Sequence, residues 1–310
     1  MKVIFTLFFC SGIFLFGHSQ TLDTMIDIGS YKLHFYIVKG MGAPILFESG
    51  NGADATTWKS ILNNIHDATG ATLITYDRAG LGSSGIDTNH INLPTEVKTL
   101  ELALKKLGYT KQLFLVNHSF GSFYSILFAI RNRRKIKGAV FIGPALPCNY
   151  TKKRNKEGNE MVSTALWDRI KKEAAGLYYV LINYEKIYNL MEKKKFPPKT
   201  PATIIGAENQ TFLKTEDYKT EWHQCVKSFG EQPNHTFVFA QNCGHTVWQD
   251  NPQLVINEIV TLYKQTNEEQ SLNKYPPNRT MGQSAEKYTI SSNSTCATTE
   301  GMCLQRATTQ

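Results

Sequence analysis

The sequence lacks a second apolar run like the one near its start. Residues 3–16 are apolar and follow a minimal basic start at Lys2, about the length of a signal-peptide core and short for a membrane span. Gly17 and Ser19 are small residues at the positions that a signal peptidase reads. We therefore expect 1–19 to be a signal peptide, the mature chain to begin at Gln20, and the protein to be exported (periplasmic or extracellular) without a stable membrane anchor.

Cysteines are few and do not form a metal-binding pattern. No two have metal-ligand spacing and no histidines cluster in the sequence, so we expect no metal and no cofactor. Five cysteines would remain after processing, and an odd number cannot all pair. Cys225 and Cys243 lie in the body of the domain, Cys296 and Cys303 in the tail, and Cys148 has no evident partner. The disulfide pattern stays open at this point.

The excess of basic residues is not accompanied by any nucleic-acid-binding motif, so we expect no nucleic acid partner. Segment 150–199 carries twelve Lys or Arg residues against six Asp or Glu, and so holds most of the formal net charge of +8. A solvated face is the simpler interpretation. The alternative is a surface that attracts anionic small-molecule substrates.

Short apolar runs alternate with helix-like segments, which predicts an α/β fold: a mainly parallel central sheet with helices on both faces. One predicted helix covers 95–107, with a helical apolar period, and another starts at Pro252. The predicted strands are 32–38, 45–47, 73–76, 113–116, 139–142, 203–205 and 236–239.

Two segments interrupt this alternation. Residues 147–198 contain no good strand but do contain helical stretches, so they predict a helical cap inserted into a domain that spans 20–265. Residues 266–310 are rich in Ser, Thr, Asn, Gln and Gly and poor in large apolar residues. Such a segment cannot bury enough surface to offset its ordering entropy, which predicts a disordered tail.

Ser119 stands where a nucleophile would, in the stretch Asn117-His-Ser-Phe-Gly121. A predicted strand precedes it and a helix-like segment follows, so Ser119 falls on a tight strand-to-helix turn that exposes its hydroxyl. The usual pattern is Gly-x-Ser-x-Gly, and Asn117 replaces the first glycine. The alternative is a serine that only caps the helix.

Four stretches in order resemble the serine-type α/β-hydrolase superfamily, over roughly residues 26–264. They are Glu48-Ser-Gly-Asn-Gly-Ala-Asp-Ala-Thr-Thr-Trp58, Tyr76-Asp-Arg-Ala-Gly-Leu-Gly-Ser83, the Ser119 turn, and Cys243-Gly-His-Thr246. Each is weak alone, and together they are specific. The resemblance implies the α/β-hydrolase fold and an esterase-like or lipase-like chemistry under a helical cap.

The resemblance also implies roles for particular residues. Ser119 is the nucleophile and His245 the general base that activates it. The oxyanion would be bound by two backbone N–H groups, those of Phe120 and Asn51, and the usual His-Gly pair before the second reads Ser49-Gly50. Asp77 and Arg78 are interpreted as loop structure beneath the site, and His118 as packing.

The third member of the triad departs from the family pattern Gly-x-x-Asp. Here Gly206-Ala-Glu-Asn209 places Glu208 one residue early, with Asn209 at the expected position. We expect Glu208 to orient His245, with Asn209 as a neutral alternative and a water, a distant acid or a degraded triad as others.

The sequence therefore predicts an exported serine hydrolase that cleaves a small carboxylic ester, or a related acyl or carbon–carbon bond, through an acyl-enzyme on Ser119. Relatives that use an aspartate nucleophile, such as epoxide hydrolases and haloalkane dehalogenases, are disfavoured by that serine. The rival hypothesis is a hydrolase-like binding or signalling protein that has lost catalysis. Its motivation is the irregular acid together with Asn117.

Overall fold

The structure is a computed structural model of the 310-residue chain. The predictions of a signal peptide at 1–19 and of disorder at 275–310 lie outside the residues that it describes. It describes 20–274, with only the backbone of 268–274, and without 150, 152, 154–155, 157–159, 161–162, 211–212 and 214.

The centre of the fold is an eight-stranded sheet in the order β1-β2-β4-β3-β5-β6-β7-β8. The first three strands in this order pair antiparallel, and all pairs from β4 through β3 to β8 are parallel. The strands are β1 Thr21–Asp27, β2 Lys32–Val38, β3 Gly42–Glu48, β4 Ala71–Tyr76, β5 Leu113–His118, β6 Ile136–Ile142, β7 Ala202–Asn209 and β8 His235–Gly244.

All seven predicted strands are present, and β1 is an additional one at the sheet's edge. The alternating exposure of β1 explains why its sequence gives a weak signal, since none of its side chains is buried. In contrast, every residue of β4 and β5 is buried, which is typical of a central strand covered on both faces.

Helices cover both faces of the sheet, as predicted. One buried cluster contains the inward residues of α2 and α3, and the other contains those of α1 and α9, so each face has its own apolar core. In the described residues the helices are α1 Lys59–Thr69, α2 Leu93–Lys106, α3 Gly121–Arg131, α4 Thr164–Glu173, α5 Ala175–Ile182, α6 Tyr184–Met191, α7 Glu216–Gly230, α8 Val247–Asp250 and α9 Pro252–Lys274.

The predicted helical cap is confirmed, because α4, α5 and α6 all lie between β6 and β7. The start of α5 packs on the β4 side of the domain, where Gly176 N–H donates to the carbonyl of Gly80 at 3.0 Å. A side chain at Gly176 would lie 2.2 Å from the carbonyl oxygen of Ala79, so glycine permits this close approach. The cap therefore rests on the loop after β4.

A disulfide joins Cys148, where the cap begins, to Cys225 in α7. The expectation that Cys148 has no partner was wrong, because the two residues are separated by 77 positions in the chain and meet only through the fold. Cys243 carries a buried free thiol. The disulfide fixes the start of the cap against the body of the domain.

The final helix continues to Lys274, beyond residue 266 where the sequence predicted the tail to begin. Its buried residues Val255 and Ile259 pack in the cluster that also contains α1.

Among residues 20–274, as far as they are described, no helix combines the length and the apolar character that crossing a bilayer requires.

Candidate active site

Ser119 occupies a strained turn between β5 and α3. Its φ is +51°, a left-handed conformation that non-glycine residues rarely adopt. Its backbone N–H donates to the carbonyl of Ile142 at 3.1 Å, and its carbonyl accepts from Ala145 N–H and Ser122 N–H at 3.0 Å each. These bonds hold the strained turn at the carboxyl end of the parallel strands.

Of the two glycine positions in the usual pattern around Ser119, the second is kept as Gly121 and the first is replaced by Asn117. A side chain at Gly121 would lie 2.5 Å from the carbonyl oxygen of Ser49, so this position requires glycine. Asn117, in contrast, is fully buried at the end of β5, and its Oδ1 accepts from Ser122 Oγ at 2.8 Å. The asparagine is therefore accommodated in the core beneath α3.

The loop predicted to form the oxyanion site starts next to the Ser119 turn. β3 and β5 are neighbours, with Glu48 opposite Asn117, so Asn51 and Phe120 follow adjacent strand ends. A Cβ built on Gly50 would lie 3.4 Å from that of Ser119. The structure thus brings these two loops together.

Ser49, which replaces the usual histidine, braces this loop with its hydroxyl group. Its Oγ donates to the carbonyl of Asp54 at 2.9 Å and accepts from Trp58 Nε1 at 3.0 Å. The substitution therefore retains a structural role for the side chain.

Arg78 holds the same loop from below. Its guanidinium donates to the carbonyls of Ser49 and Gly50 at 2.5 Å each and pairs with the Glu48 carboxylate at 2.7 Å. Both charged side chains are 3% exposed. Burial, the largest single effect, lowers the pKa of Arg78, but Glu48, Tyr124 and Tyr76 together outweigh it and the pKa is raised. Arg78 therefore stays charged beneath the loop.

Replacing Arg78 with methionine is expected to destabilise the protein by about 3–5 kcal/mol, because the Glu48 carboxylate would remain buried without its partner. Urea unfolding of the variant measures this loss. The double variant Arg78→Met/Glu48→Gln removes the unpaired charge and should recover part of the stability. A single variant as stable as the wild type would contradict this interpretation of the pair.

His245 lies in the loop after β8, where several groups enclose its imidazole. A Cβ on Gly143 would lie 3.2 Å from His245 Nδ1, so the residue that follows β6 leaves room for the ring. The ring of His118 lies against that of His245, with centroids 4.5 Å apart, and also contacts Trp248. His118 Nε2 donates to the carbonyl of His245 at 3.0 Å.

Ser119 and His245 have shared neighbours at one edge of the sheet. Ser119 is bonded to the end of β6, and His245 packs on Gly143, the next residue of that segment. His118, interpreted from the sequence as packing, joins the two loops because it precedes Ser119 and binds the backbone of His245.

Both imidazoles are uncharged at neutral pH. Burial lowers the pKa of His245 to about 4, since the cation loses its hydration. Burial also lowers the pKa of His118 well below its ordinary value, and the adjacent His245 adds to this effect. A neutral imidazole is the form that a general base requires.

The structure departs from the prediction that Glu208 orients His245. Glu208 Oε2 accepts from the backbone N–H of Asn242 at 2.6 Å, and Asn209 is exposed at the end of β7. The side chain at His245 Nδ1 is that of Gln210, whose Oε1 lies 3.1 Å away. The sequence interpretation missed Gln210 because it searched for a carboxylate; its one signal is the position directly after Asn209.

The loop that contains Asp77 serves the same region structurally. Asp77 Oδ1 accepts from Ala55 N–H and Oδ2 from Ser83 N–H, at 2.8 Å each, which ties the loop after β3 to the turn after β4. Within the part of the chain that the structure describes, no three His, Cys, Asp or Glu side chains gather as a metal site requires.

Sequence comparison gives matches that bear on this site. Residues 43–163 match a family model for the alpha/beta hydrolase fold, and this stretch contains the Ser119 turn. Over 253 residues the chain is 26% identical to the uncharacterised protein YqjL of Bacillus subtilis. The matched stretch covers 76% of this chain and 90% of that protein.

Solved structures share the fold over most of the chain. A thermophilic esterase from Thermogutta terrifontis matches with a TM-score of 0.58 at 18% identity, over 80% of this chain and 99% of that one. The haloalkane dehalogenase DatA from Agrobacterium tumefaciens matches with a TM-score of 0.54 at 15% identity, over 79% and 97%. The shared feature at such identities is the architecture, and the site residues must decide the chemistry.

Proposed function

We propose that this chain is a serine hydrolase of the α/β-hydrolase superfamily, with Ser119 as its nucleophile and His245 as its general base. The observation that supports the proposal is the strained turn at Ser119, whose preceding residue, His118, packs its ring against the buried, neutral imidazole of His245. Serine requires such a base, because a free hydroxyl is a poor nucleophile at neutral pH.

The proposed reaction proceeds through an acyl-enzyme. His245 takes the proton of the Ser119 hydroxyl as Oγ attacks the carbonyl carbon of the substrate, and the backbone N–H groups of Asn51 and Phe120 bind the oxyanion. His245 then gives the proton to the departing alcohol. Water, activated in turn by His245, cleaves the Ser119 ester and releases the acid.

A small carboxylic ester is the substrate class that we propose. One structural relative is a haloalkane dehalogenase. Such an enzyme needs a nucleophile whose covalent adduct with the alkyl group can be hydrolysed by water. Attack of Ser119 on an alkyl halide would leave an ether, which water does not cleave, whereas attack on an ester leaves a new ester that it does. The serine therefore favours acyl transfer.

A series of p-nitrophenyl esters from acetate to octanoate tests this proposal. We expect hydrolysis well above the uncatalysed rate, with the fastest esters identifying the acyl length that the site accepts. A protein that cleaves none of them, and that also resists a fluorophosphonate, would support the rival hypothesis of a binding or signalling protein without catalysis.

We further propose that the basic residues of the cap favour anionic substrates. An ester with a carboxylate on its acyl chain should then be cleaved faster than a neutral ester of equal size, and salt should reduce the difference. Equal rates at low salt would leave the charge with a role in solubility alone.

Export is proposed on two grounds. The amino-terminal sequence has the features of a signal peptide, and the Cys148–Cys225 disulfide suits an oxidising compartment. Amino-terminal sequencing of the secreted protein should then read from Gln20. Retention of Met1 on a protein that stays in the cytosol would contradict export.

A further inference from the structure

The side chain that contacts His245 Nδ1 is the neutral, buried amide of Gln210. Gln210 follows the last residue of β7 and is 1% exposed, so its side chain is fixed by the protein and not by solvent. Its Oε1 lies 3.1 Å from Nδ1. This is the place where a carboxylate would normally hold the base of a serine triad.

The orientation of the Gln210 amide follows from its second contact. The amide nitrogen donates to the carbonyl of Ala207 at 3.3 Å, and a carbonyl can only accept. The same carbonyl accepts from His223 Nε2 at 3.0 Å, which anchors it to α7. The amide oxygen must therefore face His245.

This orientation selects one tautomer of His245. Because the amide oxygen only accepts hydrogen bonds, Nδ1 must carry the hydrogen, and Nε2 is then the unprotonated nitrogen. That is the tautomer needed to take a proton from Ser119. Gln210 can fix the tautomer as a carboxylate would, but it brings no negative charge to stabilise the imidazolium.

We propose that Gln210 is the positioning residue of this site and that the protein uses a Ser119–His245–Gln210 arrangement, with a neutral amide in place of the triad acid. The inference rests on the proposed function of Ser119 and His245. It replaces Glu208, whose carboxylate is engaged by the backbone of Asn242.

The ionisable side chains around Gln210 and His245 are bonded to other groups or are uncharged. On β7, Glu208 is bonded to Asn242; on α7, His223 faces Ala207 O; and His118, from the end of β5, is itself a neutral imidazole. Burial accounts for the lowered pKa of His245.

A distinct pH dependence follows. Because the base acts only when unprotonated, kcat/KM should stay constant from about pH 8 to about pH 5 and fall only near the His245 pKa of about 4. In the unfolded chain this histidine has its ordinary pKa of about 6.5. Between about pH 6.5 and pH 4 the unfolded chain therefore binds more protons than the folded chain. Stability is therefore lost as the pH falls from about 6.5 through 4, and circular dichroism must confirm folding at each pH.

Two variants test the role of Gln210. The rate of ester hydrolysis is measured at each pH by chromatography of the products. Gln210→Glu places a carboxylate at Nδ1 and should move the acidic limb upward by about 1–3 pH units. Gln210→Ala should lower kcat by about 10²–10⁴, since the base loses its orientation. Gln253→Glu, on the exposed side of α9, makes the same charge change away from the site and should leave the limb in place.

Imidazole NMR of 15N-histidine-labelled protein separates this inference from the proposed activity, because it needs no turnover. We expect His245 to carry its hydrogen on Nδ1 and to titrate near pH 4, and Gln210→Glu to raise that pKa. The opposite tautomer, or an unchanged titration in folded Gln210→Glu, would overturn the role of Gln210. An acidic limb that moves in Glu208→Gln and not in the Gln210 variants would return the role to Glu208.

Discussion

Ser119→Ala is expected to lower kcat by about 10⁶-fold, the scale on which serine hydrolases depend on their nucleophile. The change removes one oxygen atom and leaves the turn otherwise intact, because the bonds that hold the turn come from the backbone of Ser119 to Ile142, Ala145 and Ser122. Steady-state hydrolysis of the best ester in the p-nitrophenyl series measures the loss. Circular dichroism and urea unfolding should match the wild type.

The matched control for this variant is Ser83→Ala, which removes a hydroxyl from an exposed serine in the loop after β4. Its rate should stay near that of the wild type, since surface substitutions have small effects. A Ser119→Ala protein that retains most of its activity would show that the hydrolysis uses another nucleophile or comes from a contaminant.

His245→Ala should cause a loss of similar size, about 10⁶-fold in kcat, because the nucleophile and its base act as a unit. The double variant Ser119→Ala/His245→Ala is therefore expected to be no slower than either single variant. His245→Ala should also prevent labelling of Ser119 by a fluorophosphonate, since the serine is then no longer activated.

The control for His245 is His90→Ala, because His90 is a surface histidine whose side chain is 76% exposed and paired with Asp87. The His90→Ala variant should hydrolyse the ester and be labelled by the fluorophosphonate like the wild type. If the losses of the two single variants simply multiplied in the double variant, Ser119 and His245 would be acting independently, and the proposed proton transfer between them would be wrong.

The strand-to-helix turn that holds Ser119 could be predicted from the sequence because its signals are local. The buried strand β5, the small residue Gly121 and the following helix lie within a few positions of Ser119, and each has a physical reason to be there. His245 was predictable for the same reason, because it follows Gly244 directly after the last strand. These stretches contain the information that defines their own conformation.

The partner of His245 could not be predicted in this way, because it depends on register. The pairing of β7 with β8 shifts between Ala207 and Asn209, so residues near this irregularity do not continue the simple alternation of a strand. That shift turns the Glu208 carboxylate to Asn242 N–H and brings Gln210 to Nδ1. A search for carboxylates near the expected position could not find an amide.

Long-range contacts were the other features that the sequence did not reveal. Cys148 and Cys225 meet because β6 and α7 are packed together, and nothing in their spacing indicates it. Arg78 was interpreted as loop structure, but its role as the donor to Ser49 and Gly50 carbonyls required the tertiary fold. Local patterns thus predicted the positions of these loops, and the fold revealed what supports them.

Mass spectrometry of the fluorophosphonate-treated protein tests whether Ser119 is the nucleophile that forms the acyl-enzyme. We expect one phosphonyl adduct per chain, mapped by proteolysis to the hydroxyl of Ser119 and absent from Ser119→Ala. Protein that remains unmodified under conditions where it is folded, or an adduct on a different residue, would show that Ser119 is not the nucleophile.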